Sequence, residues 1–379
     1  MKRFTRIGAI AAVATSVLAL SGFASPALAS PGVHHHPRPT ASYVYVPTND
    51  PTGNEVRVLV RAADGTLARL GSYPTGGLGG ALDGAVVDRL ASQGSAVLDH
   101  GRLYVVNAGS DTLSVFDTHG GRLRLRDTVA THGDFPVGVA VHGSRVFVLN
   151  ARDGGSVQGF ARRGSHLVRV PAWHRALGLD TSAAPEFTHT PGQVTFTPDG
   201  RALLVATKAG SHAVDVFTFG RHGRLSVAPV VTSRPGKVPF AVTFDPRGNA
   251  VVAEAAGDVA TFRLRADGTL VPLAEQATGQ QATCWIVGLG HQVWTSNAGS
   301  ATLSGFRVAR DGGLTTTGLT GTLPGPVDAS VSSDGRFLDV QTGAQGTVDT
   351  FRIGAGGTLT PVGSIVVPGT VGGEGIASS

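Results

Sequence analysis

A repeat with a period in the forties is the feature that most constrains the fold of this 379-residue chain. Each copy has an apolar stretch such as residues 103–106, a short polar turn, and a second strand-like stretch that carries a large apolar side chain. That side chain is Leu59 in a degenerate first copy and then Phe116, Phe160, Phe217, Phe262, Phe306 and Phe351. Such a period is typical of repeat architectures in which every unit packs against its neighbours.

Each repeat contains four strand-like runs of about five residues, separated by glycine turns. In residues 241–273 the turns fall at 245–248, 256–257 and 267–268. Asp-Gly pairs such as the one at 267–268 are strong hairpin signals. We therefore predict four antiparallel strands per repeat, a to d in chain order. The one modest helical candidate is residues 81–91, which Gly84 weakens.

The number of repeats follows from counting the strands. Strand a recurs six times, near Ser95, Gly138, Gln193, Ala241, Cys284 and Asp328. Strands b, c and d recur seven times, because the first repeat opens on the b-type stretch 43–46. Residues 375–378 resemble strand a at 138–141 and would supply the missing copy. The sequence thus predicts an all-β fold over residues 43–379, a seven-bladed β-propeller whose first blade is closed by the C-terminal strand.

The N-terminal residues have the pattern of a secretory signal peptide. Lys2, Arg3 and Arg6 precede an apolar run at 7–20, and Ala27-Leu28-Ala29 fits a cleavage site. We predict a signal peptide over residues 1–29, cleaved after Ala29, then a flexible leader over residues 30–42. The mature protein would be secreted and monomeric, with no membrane span, because no second apolar stretch of about 20 residues follows.

Charge and cysteine content exclude other classes. The formal charge of +5 includes the three signal-peptide cations, so the mature chain is near +2. No basic run with interleaved aromatic residues is present, and we therefore expect no nucleic-acid partner. A single cysteine, Cys284, gives no internal disulfide, and its apolar neighbours favour an inert buried thiol.

Candidate site residues lie where the repeat is broken. Strand b ends in Asn107, Asn150 and Asn297 in three repeats, where an asparagine side chain can bond the adjacent turn. The same position is anionic only at Glu254, which lies between two alanines. Glu254 could be a general base or binding carboxylate, or a structural carboxylate held by turn amides or an arginine.

A longer spacing between the third and fourth repeats marks an insertion at residues 179–192 that would overhang the channel mouth. It contains His189, and Arg152 and Lys208 belong to neighbouring mouth segments. Together with Glu254, these residues could form an acid–base cluster. A surface histidine on a variable loop is the alternative. No metal-binding or cofactor-binding motif is present, and we expect neither a metal nor a cofactor.

Several segments resemble the lactonase family of seven-bladed propellers, which includes bacterial 6-phosphogluconolactonase and the fungal carboxymuconate-lactonizing enzyme. They are Pro-Asp-Gly-Arg (198–201), Asn-Ala-Gly-Ser (107–110 and 297–300), residues 262–270 and Gly-Glu-Gly-Ile-Ala (373–377). The resemblance covers residues 43–379. It implies that a lactone ring is opened or formed without a metal, by His, Arg and Glu side chains around the channel. Family members usually carry Pro-His at the start of a central a-strand, whereas here His189 precedes Pro191.

A second resemblance leads to a different function. Residues 103–117 are similar to the Tyr-Val-Thr-Asn repeats of exported surface-layer propellers, which are binding or structural modules. Two hypotheses follow. One is an exported lactonase acting on a sugar lactone or muconolactone at the channel mouth, with water activated by Glu254 or His189 and the oxyanion stabilised by Arg152 or Lys208. The other is a non-catalytic binding or scaffold propeller. Either way the expected partner is a small lactone or carbohydrate-like ligand.

Overall fold

The computed structural model describes residues 42–379, and the predicted signal peptide and nearly all of the predicted leader lie outside this range. The described residues form seven four-stranded antiparallel sheets. This arrangement confirms the predicted seven-bladed propeller, including the closure of blade 1 by the C-terminal strand. Within residues 42–379 no helix is long and apolar enough to cross a membrane.

The strands follow the predicted a–d order in every blade. Blade 1 contains β1 (Ser42–Pro47), β2 (Glu55–Arg61) and β3 (Leu67–Pro74); blade 2 contains β4 (Ala96–Asp99), β5 (Arg102–Asn107), β6 (Thr112–His119) and β7 (Arg122–Ala130). Blade 3 contains β8 (Pro136–His142), β9 (Arg145–Asn150), β10 (Ser156–Arg163) and β11 (His166–Ala176); blade 4 contains β12 (Gln193–Phe196), β13 (Ala202–Ala206), β14 (Ala213–Thr218) and β15 (Val230–Ser233).

The remaining blades repeat the arrangement. Blade 5 contains β16 (Pro239–Phe244), β17 (Ala250–Glu254), β18 (Asp258–Leu264) and β19 (Leu270–Ala277); blade 6 contains β20 (Thr283–Leu289), β21 (Gln292–Asn297), β22 (Thr302–Val308) and β23 (Leu314–Gly321). Blade 7 contains β24 (Pro326–Val331), β25 (Phe337–Thr342), β26 (Thr347–Ile353) and β27 (Leu359–Val366), and β28 (Ala377–Ser378) is the innermost strand of blade 1. Helical turns are short: α1 (Glu186–His189) and 3-10 turns at Ala108–Ser110, Arg221–Gly223 and Ala355–Gly357.

The two chain ends close the ring. Strand β28 pairs antiparallel with β1 through Val44↔Ser378 and Tyr45↔Ala377. The Ser379 amide donates to the Tyr43 carbonyl at 2.9 Å, and the Tyr43 amide donates to Ser379 Oγ at 2.8 Å. Blade 1 therefore has no unpaired inner b-strand edge of the kind that favours edge-to-edge association.

The recurring large apolar residue of strand c lies between blades. Each of the six phenylalanines is at most 2 % exposed, as is Leu59 in blade 1. The ladder between strands c and d shifts register next to this residue in six of the seven blades, for example between Val115 and Phe116. A β-bulge at a fixed position bends the strand and increases its twist, so the same irregularity is built into six of the seven blades.

The propeller has two faces. The a–b and c–d turns lie on one face, which we call the turn face. The b–c turns and the d–a crossings between blades lie on the other, which we call the crossing face. The repetitive glycine turns belong to the first, and the longest irregular segments belong to the second.

The modest helical candidate at residues 81–91 does not form a helix. Residues 82–95 form an irregular segment of the long crossing from blade 1 to blade 2, which we call the channel plug. The Gln93 side chain pairs with both backbone groups of Ile286 in blade 6, at 2.8 and 2.9 Å, and Trp285 Nε1 donates to the Ser92 carbonyl at 2.6 Å. These bonds connect the channel plug to blade 6 and outweigh the local helical propensity, because they give partners to buried backbone groups of the inner strand of blade 6.

Candidate active site at the channel mouth

A cavity of about 230 Å³ lies on the crossing face, between the b–c turn of blade 3 and the crossing from blade 3 to blade 4. Its walls include Arg152 and His189, two of the four predicted site residues. Four carboxylates and two threonines complete the polar lining: Asp134, Asp153, Asp180, Glu186, Thr181 and Thr190. The 179–192 insertion thus contributes much of the wall, which is the role that its position predicted.

Arg152 is held by a single glutamate. Its Nε lies 2.7 Å from Glu186 Oε1, and its Nη2 lies 3.3 Å from Glu186 Oε2. The guanidinium also covers the Phe135 ring, with its central carbon 4.3 Å from the ring centroid. Hydrogen bonding from Arg152 lowers the pKa of Glu186, so this carboxyl is ionised at neutral pH. Nη1 has no partner among residues 42–379, which leaves two N–H groups available to a ligand.

His189 ends the four-residue helix α1. Its Nδ1 lies 3.0 Å from the Pro185 carbonyl and 2.9 Å from Thr188 Oγ1. Because a carbonyl oxygen can only accept, the bond to Pro185 assigns the proton of the neutral ring to Nδ1. Nε2 then carries the lone pair and has no intramolecular partner in the described part of the chain. A histidine fixed in this tautomer can take a proton from water.

Lys208 lies behind the cavity wall rather than in the cavity. The residue is 1 % exposed, and its Nζ donates to the carbonyls of Ala91 and Phe187, each at 2.6 Å, and to Thr190 Oγ1 at 3.0 Å. Burial lowers the pKa of Lys208 to about 7, although the Asp88 carboxylate favours the ammonium. Lys208 therefore joins the channel plug to the segment around α1. It supports the site without reaching a ligand.

Glu254 is not brought to this cavity. Its side chain is fully buried, and Arg234 binds both oxygens, at 2.7 and 2.9 Å. Arg234 and Lys237 also bind Glu275, and Lys237 binds Asp258 at 2.9 Å. Burial raises the pKa of Glu254, whereas the Arg234 guanidinium favours the charged form. This geometry corresponds to the structural alternative, a carboxylate held by an arginine.

The cluster of Glu254 and the four charged side chains around it also limits metal binding there. Carboxylate oxygens of Glu254, Asp258 and Glu275 lie within 4.8 Å of one another, close enough to share an ion. Arg234 and Lys237 already occupy the space between them with positive charge. An added divalent cation would have to displace both side chains.

The asparagines at the equivalent position have a local role. Asn107 Nδ2 donates to Thr112 Oγ1 at 3.0 Å and to Ser114 Oγ at 2.8 Å, both on the next strand. Asn297 makes the matching pair of bonds to the hydroxyls of Thr302 and Ser304, at 3.1 and 2.9 Å. These side chains fasten the b–c turn to strand c. The partners are hydroxyl groups of that strand rather than the turn backbone.

Two buried carboxyl groups, Asp88 within the channel plug and Glu374 beside it, were not assigned a role from the sequence. Asp88 accepts from the amides of Leu90 and Ser92, at 2.7 and 2.9 Å, and burial raises its pKa to about 7. Glu374 accepts from the Gly94 amide at 3.0 Å, and burial together with Asp328 raises its pKa. The signal in the sequence was the length of the crossing between β3 and β4, which exceeds that of the 179–192 region.

Comparisons with known proteins agree with this architecture. A sequence model of the family "Lactonase, 7-bladed beta-propeller" matches residues 178–372, more than half of the chain. No curated protein sequence matches the chain. Several solved structures share the fold. A protein from Lactobacillus plantarum is 19 % identical with a TM-score of 0.73, over 89 % of this chain and 99 % of that one.

Two further structures have lactonase names. The periplasmic gluconolactonase of Pseudomonas aeruginosa is 20 % identical with a TM-score of 0.71, over 89 % of this chain and 99 % of that one. A proposed 6-phosphogluconolactonase from Bacteroides fragilis is 21 % identical with a TM-score of 0.69, over 90 % of this chain and 98 % of that one. Identities this low show the fold alone. Together with the family match over residues 178–372, they show that the chain belongs to the lactonase family of seven-bladed β-propellers.

Proposed function

We propose that this protein hydrolyses an unphosphorylated lactone in the cavity at the channel mouth. The observation that supports this proposal is the pairing of His189 and Arg152 in one cavity of a lactonase-family propeller. One side chain offers a free basic nitrogen, and the other offers free N–H donors. Ester hydrolysis requires both kinds of group, one to activate water and one to stabilise the oxyanion.

The reaction would begin with water bound to His189 Nε2. The ring takes one proton while the water oxygen attacks the lactone carbonyl carbon, and the oxyanion that develops accepts hydrogen bonds from Arg152 Nη1. Collapse of the tetrahedral intermediate breaks the bond between the acyl carbon and the ring oxygen. The leaving oxygen takes the proton back from His189, which gives the open hydroxy acid. Glu186 fixes Arg152 throughout, through the two bonds at 2.7 and 3.3 Å.

The charge of the cavity supports an unphosphorylated substrate. Four carboxylates line it against one arginine, so its formal charge is −3 when His189 is neutral. A phosphate dianion would be repelled by this lining, whereas a neutral lactone would not. The product is a carboxylate, and the same field would favour its release.

The test is a pH-stat assay of purified protein with D-glucono-1,5-lactone, its 6-phosphate and muconolactone. We expect turnover of an uncharged lactone at a kcat/KM at least about tenfold above that for the phosphorylated one. His189→Gln should lower kcat by about 10²- to 10⁴-fold, and Thr188→Val should leave most activity, because Nδ1 keeps its bond to Pro185. A kcat unchanged by His189→Gln would remove this residue from the mechanism.

A non-catalytic binding propeller is the second candidate, and one observation favours it. Two of the four predicted site residues, Glu254 and Lys208, are fully engaged by other groups of the protein. In that case the cavity would bind a lactone or carbohydrate without turnover. Calorimetric titration with the same lactones and the corresponding hydroxy acids separates the two functions, because a binding module would show heat of binding without release of acid.

We also propose that the protein is exported and monomeric. The support for export is the sequence pattern of residues 1–29 and a family neighbour that is periplasmic in Pseudomonas aeruginosa. Expression of the full chain in a secreting host should yield an extracellular protein that begins at Ser30. N-terminal sequencing checks the cleavage site, and light scattering checks the mass.

A further inference from the structure

The two faces of the propeller carry opposite charge. Residues 42–379 hold 27 of the 31 cations and all 26 carboxylates, so the described chain is close to neutral. We assign to each face its turns or crossings and the three residues of each strand that adjoin them. The turn face then holds eighteen arginines and nine aspartates, and the crossing face holds seven cations and sixteen carboxylates. The formal charges are +9 and −9.

This separation persists at physiological salt. A strand of six residues spans about 20 Å, so the two faces are separated by about two Debye lengths at 0.15 M salt. An ion near one face therefore feels that face and little of the other. The turn face presents itself to solution as a basic surface, although the whole protein is nearly neutral.

The basic surface is not a uniform scatter of charge. It contains a groove of about 480 Å³ between blades 4 and 5, with Arg201, Arg247 and Arg265 in its lining. Arg247 and Arg265 have no carboxylate within 4 Å in the part of the chain that the structure describes. Arg201 has one at 3.6 Å, Asp199, and that pair is exposed and correspondingly weak.

Local turn bonds explain why these arginines remain free. Asp199 Oδ1 accepts from Thr197 Oγ1 at 2.7 Å and from the Arg201 amide at 3.0 Å. Asp245 accepts from the amides of Arg247 and Asn249, at 2.8 and 2.9 Å. The aspartates of the a–b turns thus hold the turn backbone, and the guanidinium groups beside them are left for a ligand.

The chemistry of the groove indicates its ligand. Three guanidinium groups along an open groove match a row of phosphate or carboxylate groups, which arginine binds in a bidentate manner. No Phe, Tyr or Trp among residues 42–379 is exposed, so the turn face lacks the aromatic platforms that stack nucleic-acid bases and the aromatic anchors of membrane-surface proteins. The surface therefore fits a flexible anionic polymer rather than a base-bearing chain or a membrane.

We propose that the turn face binds an anionic polymer, with the groove at Arg201, Arg247 and Arg265 as its anchor. The recognised chemistry is a chain of repeated phosphate or carboxylate groups. The site lies on the face opposite the candidate active site. Binding would hold the protein on a polyanionic matrix while the channel mouth stays open to small lactones.

The test is fluorescence anisotropy of labelled inorganic polyphosphate, and of labelled poly-glutamate in a second arm, against the mature protein at 50 to 300 mM salt. The groove variant is Arg201→Gln, Arg247→Gln and Arg265→Gln. The control variant is Arg122→Gln, Arg124→Gln and Arg310→Gln, which removes three exposed, carboxylate-free arginines of the same face outside the groove. Circular dichroism and thermal melting confirm that both variants fold.

We expect salt-dependent binding of at least one polymer, weakened about tenfold or more by the groove variant and about threefold or less by the control. Binding to polyphosphate alone identifies phosphate as the ligand group, and binding to both polymers identifies any dense anion. Equal weakening by the two variants, or no binding of either polymer at 50 mM salt, would overturn the proposal. Lactone turnover stays unchanged in both variants, so this result is independent of the proposed activity.

Discussion

Two arginine–glutamate pairs on the crossing face share their chemistry but differ in their surroundings. Arg234 and Glu254 have side-chain exposures of 17 % and 0 %, and two further carboxylates and a lysine complete the cluster. Arg152 and Glu186 have exposures of 34 % and 27 %, and Arg152 keeps one terminal nitrogen free. The first pair stabilises a turn, and the second lines a cavity. The two pairs contain the same residue types, so the number of hydrogen-bonding atoms left free decides which pair can bind a ligand.

Loss of the buried carboxylate should give the largest effect. We expect Glu254→Ala to lower the free energy of unfolding by about 3 kcal/mol, because it leaves a mostly buried guanidinium with one partner fewer. Glu186→Ala, the matched change in the open pair, should cost about 1 kcal/mol or less. Urea denaturation followed by fluorescence measures both. Similar losses in the two variants would show that the pairs do not differ as the structure indicates.

Substitution of Arg152 should affect activity more than stability, the reverse of what we expect for Glu254. We expect Arg152→Gln to lower kcat/KM for lactone hydrolysis about 100-fold, or about 2.7 kcal/mol, by removing the donor to the oxyanion. Stability should change by about 1 kcal/mol or less, since the pair with Glu186 is partly exposed. Arg234→Gln is the matched control in the closed pair, and it should destabilise the protein with kcat/KM of the folded fraction preserved. An activity loss confined to Arg234→Gln would reverse the assignment.

The fold was predictable because the repeat encodes it many times over. Seven copies of the same apolar and turn pattern give the strand order, and the position of Ala377–Ser378 gives the closure. The channel plug was not predictable, because its conformation depends on bonds from Gln93 to Ile286, which is 193 residues away. A local pattern carries no information about such a partner, and residues 81–91 therefore offered only a modest helical candidate.

The candidate site was predictable only in part. The insertion that carries His189 was visible as a break in the period, and the position of Arg152 in the b–c turn of blade 3 followed from the strand count. Glu254 stood out in the sequence for the same reason, as the one carboxylate at a position that otherwise holds Asn or Thr. Its partner Arg234 lies in a crossing with no repeat pattern. The repeats therefore could not predict the ion pair that occupies both oxygens of Glu254.

A further buried carboxylate, Asp215, has no cation partner among residues 42–379 and can be compared with the arginine-paired Glu254. Asp215 on β14 is 6 % exposed, no cation lies within 4 Å of it among residues 42–379, and burial raises its pKa to about 6. The folded state therefore holds the proton more tightly than the unfolded state, and stability is lost as the pH rises from about 4 through about 6. We expect Asp215→Asn to be more stable than the parent by about 1–2 kcal/mol at pH 8 and equal to it below about pH 4.

Denaturation curves at pH 4 and pH 8 measure this difference. The expected change in the free energy of unfolding is opposite in sign to that for Glu254→Ala. Glu254 has a cation partner, so its loss should destabilise the protein. A variant that is less stable than the parent at pH 8 would mean that the ionised Asp215 carboxylate has a favourable partner. The contrast between a paired and an unpaired buried carboxylate would then not hold.

Glu275 should give the smallest effect, because it is the exposed member of the cluster around Arg234. Its side chain is 38 % exposed, and hydrogen bonds from Lys237 and then Arg234 lower its pKa. A lowered folded-state pKa stabilises the protein above the unfolded value near 4.3, and this contribution disappears as the pH falls through the folded-state value. We expect Glu275→Gln to lower the free energy of unfolding by about 0.5 kcal/mol at pH 7 and 50 mM salt, by less at 1 M salt, and not at all at low pH.

Thermal melts at the two salt concentrations check this, with Glu55→Gln as an exposed control outside the cluster. A loss as large as that of Glu254→Ala would show that the cluster acts as one unit, so that its stability depends on every charge rather than on the buried pair.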